Sequence, residues 1–137
     1  MRQTLLAVRL LHIVFIITLF QFIFVLGFVH PPERNLPLAY PLALGTLAVV
    51  VTCACLYLRK QFLHAPATML ELQPEDQALL KRWRVGNVLS FCFAENVILY
   101  GVLLKFLGES WNVVALFFAA GLVLLLLWTP RAIKPSA

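Results

Sequence analysis

The sequence predicts an all-α fold, an integral membrane four-helix bundle with both termini in the cytoplasm, and three observations lead to it. First, 62% of the 137 residues are hydrophobic and only 12% are charged, whereas soluble domains are about half apolar and a quarter charged. Second, the apolar residues form four continuous runs, unlike the alternating segments of a membrane β-barrel. Third, Lys and Arg are distributed unequally between these runs. The composition excludes a soluble enzyme, a disordered chain and a disulfide-rich secreted module.

Four apolar runs have the length that a transmembrane helix needs, about 20 residues for ~30 Å of hydrocarbon. We predict spans over residues 10–29, 38–58, 85–107 and 111–128, which together form a single transmembrane domain. Because lipid offers the backbone no hydrogen-bond partner, each run is expected to be helical.

The basic residues orient these spans, because cytoplasmic loops carry an excess of Lys and Arg. Nine of the eleven lie near the N-terminus, in the loop 59–84 or in the C-terminal tail: Arg2, Arg9, Arg59, Lys60, Lys81, Arg82, Arg84, Arg131 and Lys134. Only Arg34 and Lys105 remain for the other side. Both termini and the loop are therefore expected in the cytoplasm. We attribute the net charge of +5 to this bias and to attraction to anionic lipid headgroups, not to nucleic acid.

The first span, residues 10–29, has no formally charged side chain, and its apolar run is too long for a signal peptide. We expect it to stay in the mature protein. Thr18 and Gln21 are three residues apart and so share one face of this helix. Two interpretations of His12 stay open: a histidine at the membrane interface, or a single axial ligand to a haem or chlorophyll-type pigment.

The cytoplasmic loop, residues 59–84, is predicted to be partly helical. The second helix is expected to continue through Phe62 and to stop before Pro66, because the residue before a proline avoids the α region. The next helix is expected to begin at residues 73–76, with Pro74 and the acids in its first turn, and to run unbroken into the third span. At the headgroup level we interpret one basic run as a membrane anchor or a docking site for a partner or anionic lipid: Lys81, Arg82, Trp83 and Arg84.

Glu95 stands near the middle of the third span, where an ionised carboxyl costs ~2.5–3.5 kcal/mol on insertion scales. A contact between the neutral acid and Gln21 of the first span would satisfy both groups, worth about 1 kcal/mol. Asn96 points about 100° away around the helix and needs a partner of its own, in the bundle or in another protomer. Glu95 either carries a proton or cation, or holds helices together by hydrogen bonding.

Small and polar residues recur every three or four positions in the second and third spans, a pattern that lets helix backbones approach closely. These stripes are Gly45, Ala48, Thr52 and Cys55 in the second span, and Asn87, Ser90, Ala94 and Gly101 in the third. We expect the two stripes to pack together as an antiparallel hairpin. The fourth span is expected to make a smaller contact through Ala115 and Ala119.

Motifs that indicate catalysis are missing from the sequence, which has no Ser-His-Asp arrangement, P-loop, HExxH or paired carboxylates. The three cysteines, Cys53, Cys55 and Cys92, lack the spacing of zinc or iron–sulfur ligands. We therefore predict neither an enzyme activity nor a metal site.

Residues 94–101, Ala-Glu-Asn-Val-Ile-Leu-Tyr-Gly, resemble the ion-carrying helix of rotary ATP synthase c subunits, in which a carboxyl is followed by a glycine in an otherwise apolar helix. The resemblance implies that Glu95 is an ion-binding carboxyl. The chain departs from that family in having a single glycine, Gly45, in its second span, and in its long loop at residues 59–84. In layout it resembles small four-span bacterial membrane proteins.

Three functions stay open. The favoured hypothesis is a non-catalytic small subunit, or an assembly or stabilising component, of a larger complex in a bacterial plasma membrane. Short loops, missing catalytic motifs and unpaired polar groups within the spans favour it. The alternative is a self-assembling proton or cation translocator that uses Glu95, and the third is a haem- or pigment-binding bundle ligated by His12.

Overall fold

The computed structural model describes residues 2–73 and 75–131, which are helical almost throughout and contain no strand. Five α-helices follow in order, with a π-helical turn at Lys60–His64 between the second and third: α1 (Arg2–Val29), α2 (Ala39–Arg59), α3 (Ala65–Leu72), α4 (Gln77–Leu107) and α5 (Trp111–Leu127). The all-α fold class is confirmed. The predicted spans lie on α1, α2, α4 and α5, and both α1 and α4 begin eight residues before the spans predicted on them.

Three helical stretches are long and apolar enough to cross a membrane: α1, the continuous helical segment Ala39–Leu72, and α4. The fourth, α5, is apolar apart from Asn112 but shorter, with 17 residues, or about 25 Å of helix at the usual rise. The helices therefore fit an integral membrane protein.

The helix that begins with α2 does not stop before Pro66, so that prediction is wrong. The chain stays helical to Leu72. Proline has no N–H, and its ring crowds the carbonyl four residues earlier, here that of Phe62. The π-helical turn Lys60–His64, closed by the Ala65 N–H donating to the Lys60 carbonyl, widens the helix at this point and accommodates the proline.

The long helix α4 is confirmed, and residues at both of its ends explain its bounds. Asp76 is the N-cap, and its carboxylate accepts hydrogen bonds from the backbone N–H groups of Ala78 and Leu79 at 2.8 and 3.2 Å. The helix thus begins later than predicted, and Pro74 lies outside the described residues. At the other end Gly108 adopts a left-handed φ of 102°, which ends the helix in a Schellman motif.

α4 is the central helix, since α1, α2 and α5 all pack on it, whereas α1 and α2 make at most a marginal contact with each other. The most extensive contact joins α4 to α5, so the expectation of a smaller contact for the fourth span is wrong. Gly121 of α5 lies against the side chain of Ile98, and Gly101 of α4 lies against Phe117. The expected Ala115 and Ala119 are exposed instead.

Most Lys and Arg residues lie at one end of the bundle, where α1 and α4 begin and where α2 and α5 end. We call this end the basic end. At the opposite end, the α1–α2 loop is tied to the α4–α5 turn by the Arg34 N–H, which donates to the Gly108 carbonyl at 2.8 Å. Beneath this tie Lys105 is buried, with 1% of its surface exposed.

Candidate functional sites

Glu95 lies one turn after Phe91 on α4, at the edge of the face whose Phe91 ring contacts His12 and Phe15 of α1. The Glu95 side chain is half-buried. Its Oε2 atom is fully buried and has no hydrogen-bond partner among the described residues. A buried polar atom without a partner is uncommon in a native protein and calls for an explanation.

The structure does not bring Gln21 to Glu95. Gln21 is exposed, and no hydrogen bond joins the two side chains in the part of the chain that the structure describes. Thr18 donates to the Val14 carbonyl of its own helix at 2.9 Å, as hydroxyls in apolar helices commonly do. Asn96 donates to the Tyr100 hydroxyl at 3.2 Å, one turn along α4.

The basic run at the start of α4 divides between the surface and the core. Lys81, Arg82 and Arg84 are exposed, as a headgroup-level run requires, and the Arg82 guanidinium lies over the Phe62 ring at 5.1 Å. Trp83 instead turns into the bundle and is only 4% exposed. It therefore packs within the protein and does not act as a membrane-surface anchor.

His12 is buried, with 6% of its surface exposed, and its Nε2 atom lies 2.6 Å from the Leu125 carbonyl. Since a carbonyl only accepts, Nε2 carries the proton and donates. Leu125 is in the last turn of α5, where carbonyls have no partner within the helix. His12 therefore caps α5 from α1 through its Nε2 atom.

Arg59, at the end of α2, reaches inward at the basic end. Its Nη1 donates to the Ser90 hydroxyl at 2.8 Å, and that hydroxyl donates in turn to the Gly86 carbonyl at 2.7 Å. The guanidinium also lies 4.9 Å from the centre of the Trp128 ring. Both contacts fix the orientation of a half-buried cation, and neither brings a negative charge to it.

A cavity of about 380 Å³ opens beside Arg59, within the range of small-molecule sites. Its polar lining consists of Arg59, His64, Glu71, Asn87, Thr129 and Arg131, and its apolar lining of Leu63, Ala67, Trp83 and Leu127. These residues come from α2, the π-helical turn, α3, α4, α5 and the segment after α5. The cavity exists because the helix continues past Pro66 and so covers this end of the bundle.

The sequence alone does not reveal this cavity, because Arg59 and Arg131 in it indicate only topology and Trp83 only membrane anchoring. The one available signal was the inward spacing of Trp83, Asn87 and Ser90 at three- and four-residue intervals on α4. No group of three His, Cys, Asp or Glu side chains that could hold a metal ion occurs among residues 2–73 and 75–131.

Comparison of the chain with protein-family models, curated protein sequences and solved structures found no match. The resemblance of residues 94–101 to the c subunits of rotary ATP synthases therefore stays a hypothesis about Glu95.

Proposed function

We propose that the chain is a non-catalytic subunit, or an assembly component, of a larger complex in a bacterial plasma membrane, with both termini in the cytoplasm. One observation carries this proposal. The Oε2 atom of Glu95 is buried without a hydrogen-bond partner among the described residues. In the complex, the half-buried Glu95 side chain would turn its carboxyl outward to accept a hydrogen bond from a donor of another subunit.

The partner contact is assigned to the side of α4 that its neighbours leave open. Cys92, Leu99 and Leu103 are exposed there, and Asn96 lies among them, next to the half-buried Glu95. Such a face suits a transmembrane helix that carries a hydroxyl, amide or indole donor at the depth of Glu95. Hydrogen bonds between membrane helices average about 0.6 kcal/mol and reach about 1.7 kcal/mol.

The experiment is to purify the tagged full-length chain from its own membrane in mild detergent and to identify its complexes by native mass spectrometry. We expect a defined hetero-complex. Glu95→Leu should weaken it by about 3- to 20-fold, since it removes the hydrogen bond. Glu95→Gln should preserve it, because an amide can replace a neutral acid in hydrogen bonding.

The matched control is Gln21→Leu, which removes an exposed polar side chain from the first span and should leave the complex unchanged. Recovery of the complex at its normal level with Glu95→Leu would contradict the proposal, as would a chain that runs as a monomer. A closed homo-oligomer whose proton or cation flux stops with Glu95→Gln would favour the translocator instead. That result would also support the likeness to c subunits.

A further inference from the structure

The cavity at the basic end contains a cation that has no charged partner in the part of the chain that the structure describes. Arg59 is half-buried, yet its contacts there are the Ser90 hydroxyl and the Trp128 ring, which are uncharged. Buried charges are normally paired, because transfer out of water is costly. The C-terminal end of α5, just before Trp128, carries a partial negative charge that favours a nearby cation. It does not accept hydrogen bonds from the remaining N–H donors of Arg59.

The Arg59 guanidinium is also preorganised for a ligand, because its contact with Ser90 fixes its orientation. Ser90 cannot rotate freely, because its hydroxyl donates to the Gly86 carbonyl and so presents a lone pair to Nη1. A guanidinium has five N–H donors in a rigid plane, and this contact uses one of them. The planar arrangement of donors matches two oxygens of a phosphate or carboxylate.

A second arginine, Arg131, lines the same cavity, together with His64 and Asn87. Glu71 is the one acidic residue among the described lining residues, so the two arginines leave an excess of positive charge among them. The remaining lining, which includes Leu63 and Leu127, is apolar. This combination, at the end of helices long enough to cross a membrane, suits an anion attached to an apolar or glycerol-like group.

We propose that this cavity binds a phosphate group, with Arg59 and Arg131 as its cationic ligands. The phosphate belongs either to the headgroup of an anionic phospholipid or to a soluble phosphate compound, and both offer the same oxygens to the arginines. The site lies at the basic end, away from Glu95, and does not depend on the proposed subunit contact.

The test uses the full-length protein in a maltoside detergent, which contains no phosphate. Retention of added phosphatidylglycerol is measured by native mass spectrometry, with diacylglycerol of the same acyl chains as the phosphate-free control. In a second arm, glycerol 1-phosphate or inorganic phosphate is added alone, and then in competition with the lipid. We expect selective retention of phosphatidylglycerol over diacylglycerol.

Arg59→Gln and Arg131→Gln should each reduce binding by about tenfold or more, as expected for loss of a hydrogen bond between charged groups. Arg131 is exposed, so its variant should fold normally even if Arg59→Gln does not. Arg9→Gln, which removes an exposed charge at the same end outside the cavity, is the matched control and should bind normally.

The two arms identify the source of the phosphate. Displacement of the lipid by glycerol 1-phosphate, or binding of the soluble compound alone, assigns the site to a soluble phosphate. Lipid binding that soluble phosphate does not displace assigns it to a headgroup. The proposal is overturned if neither probe binds, if both cavity variants bind normally, or if Arg9→Gln loses as much binding as they do.

Discussion

Lys105 is buried, and the three groups that contact its ammonium stabilise the charge unequally. Its Nζ atom lies 3.4 Å from Glu33 Oε1, but the Glu33 side chain is 61% exposed, and solvent-exposed ion pairs are weak. The Glu109 carbonyl accepts from Nζ at 3.1 Å, and the Trp111 ring lies 4.9 Å from it. The carbonyl and the ring should therefore stabilise the ammonium more than the carboxylate does.

Replacing Lys105 with Met should lower the free energy of unfolding by about 1–3 kcal/mol, because it removes a charged hydrogen bond and a cation–π contact. Glu33→Gln should cost at most about 1 kcal/mol. Unfolding in mixed micelles, followed by circular dichroism, measures both. The exposed Lys81→Met serves as the control for loss of one positive charge. Equal losses for Lys105→Met and Glu33→Gln would show that the ion pair dominates.

His12 shows that a polar residue in an apolar helix can serve as a hydrogen-bond donor to the C-terminal carbonyls of a neighbouring helix. Sequence alone could not connect His12 to Leu125, because the contact depends on how α1 and α5 lie beside each other. The hydrogen bond from Nε2 satisfies a carbonyl that the last turn of α5 leaves open. A structural role for His12 therefore has direct support in a contact, whereas pigment ligation has none.

At the scale of the helices, Gly121 determines how closely α5 approaches α4. A Cβ atom at this position would overlap the Ile98 side chain and lie 3.3 Å from the Ala94 carbonyl. Gly121→Ala should therefore destabilise the protein by about 1–3 kcal/mol through overpacking. The measurement is the same unfolding transition in mixed micelles.

Gly27→Ala provides the matched comparison for that prediction. It makes the same chemical change in α1, where a Cβ atom would meet nothing within 4 Å. Because alanine favours helix more than glycine does, the variant should be neutral or more stable by up to about 1 kcal/mol. A similar loss of stability for both variants would mean that the α4–α5 contact does not explain the result, since Gly27 is not part of that contact.

The helices themselves were predictable from the sequence, because long apolar runs in lipid have few conformational alternatives. The partners of each helix were not. The small residues of the α4 stripe contact different helices, since Ser90 bonds to Arg59 of α2 and Gly101 lies against Phe117 of α5. The spacing of the stripe alone does not show which helix each residue contacts. The helical continuation past Pro66 was also unpredictable, since it depends on a π-helical turn. The polar cavity could not be predicted for the same reason.

At the scale of the whole molecule, the basic residues predict the orientation. Nine of the eleven Lys and Arg residues lie in the N-terminal segment, the 59–84 loop or the C-terminal tail. Lys105, one of the two on the opposite side, is buried, which leaves Arg34 as the exposed cation of the α1–α2 loop. Among the described residues, seven exposed Lys and Arg side chains at the basic end thus compare with one at the opposite end.

We expect reporter fusions in a bacterial host to place both termini in the cytoplasm. Green fluorescent protein fused to either terminus should be fluorescent, and alkaline phosphatase at the same positions should be inactive. Phosphatase inserted in the α1–α2 loop, after Asn35, should be active. Active phosphatase at either terminus would contradict the predicted orientation. It would also place the cavity on the outer face of the membrane.

The central position of α4 has a consequence for the order of events during synthesis. α1 and α2 leave the ribosome before α4 and make at most a marginal contact with each other. At ordinary rates of about 5–20 residues per second, a few seconds pass before α4 is complete. We expect the first two helices to insert in lipid as independent segments during that interval. Because α1 and α2 both pack on α4, they can assemble only after α4 has been synthesised. A chain that ends in the 59–84 loop would therefore leave both helices without the helix on which they pack.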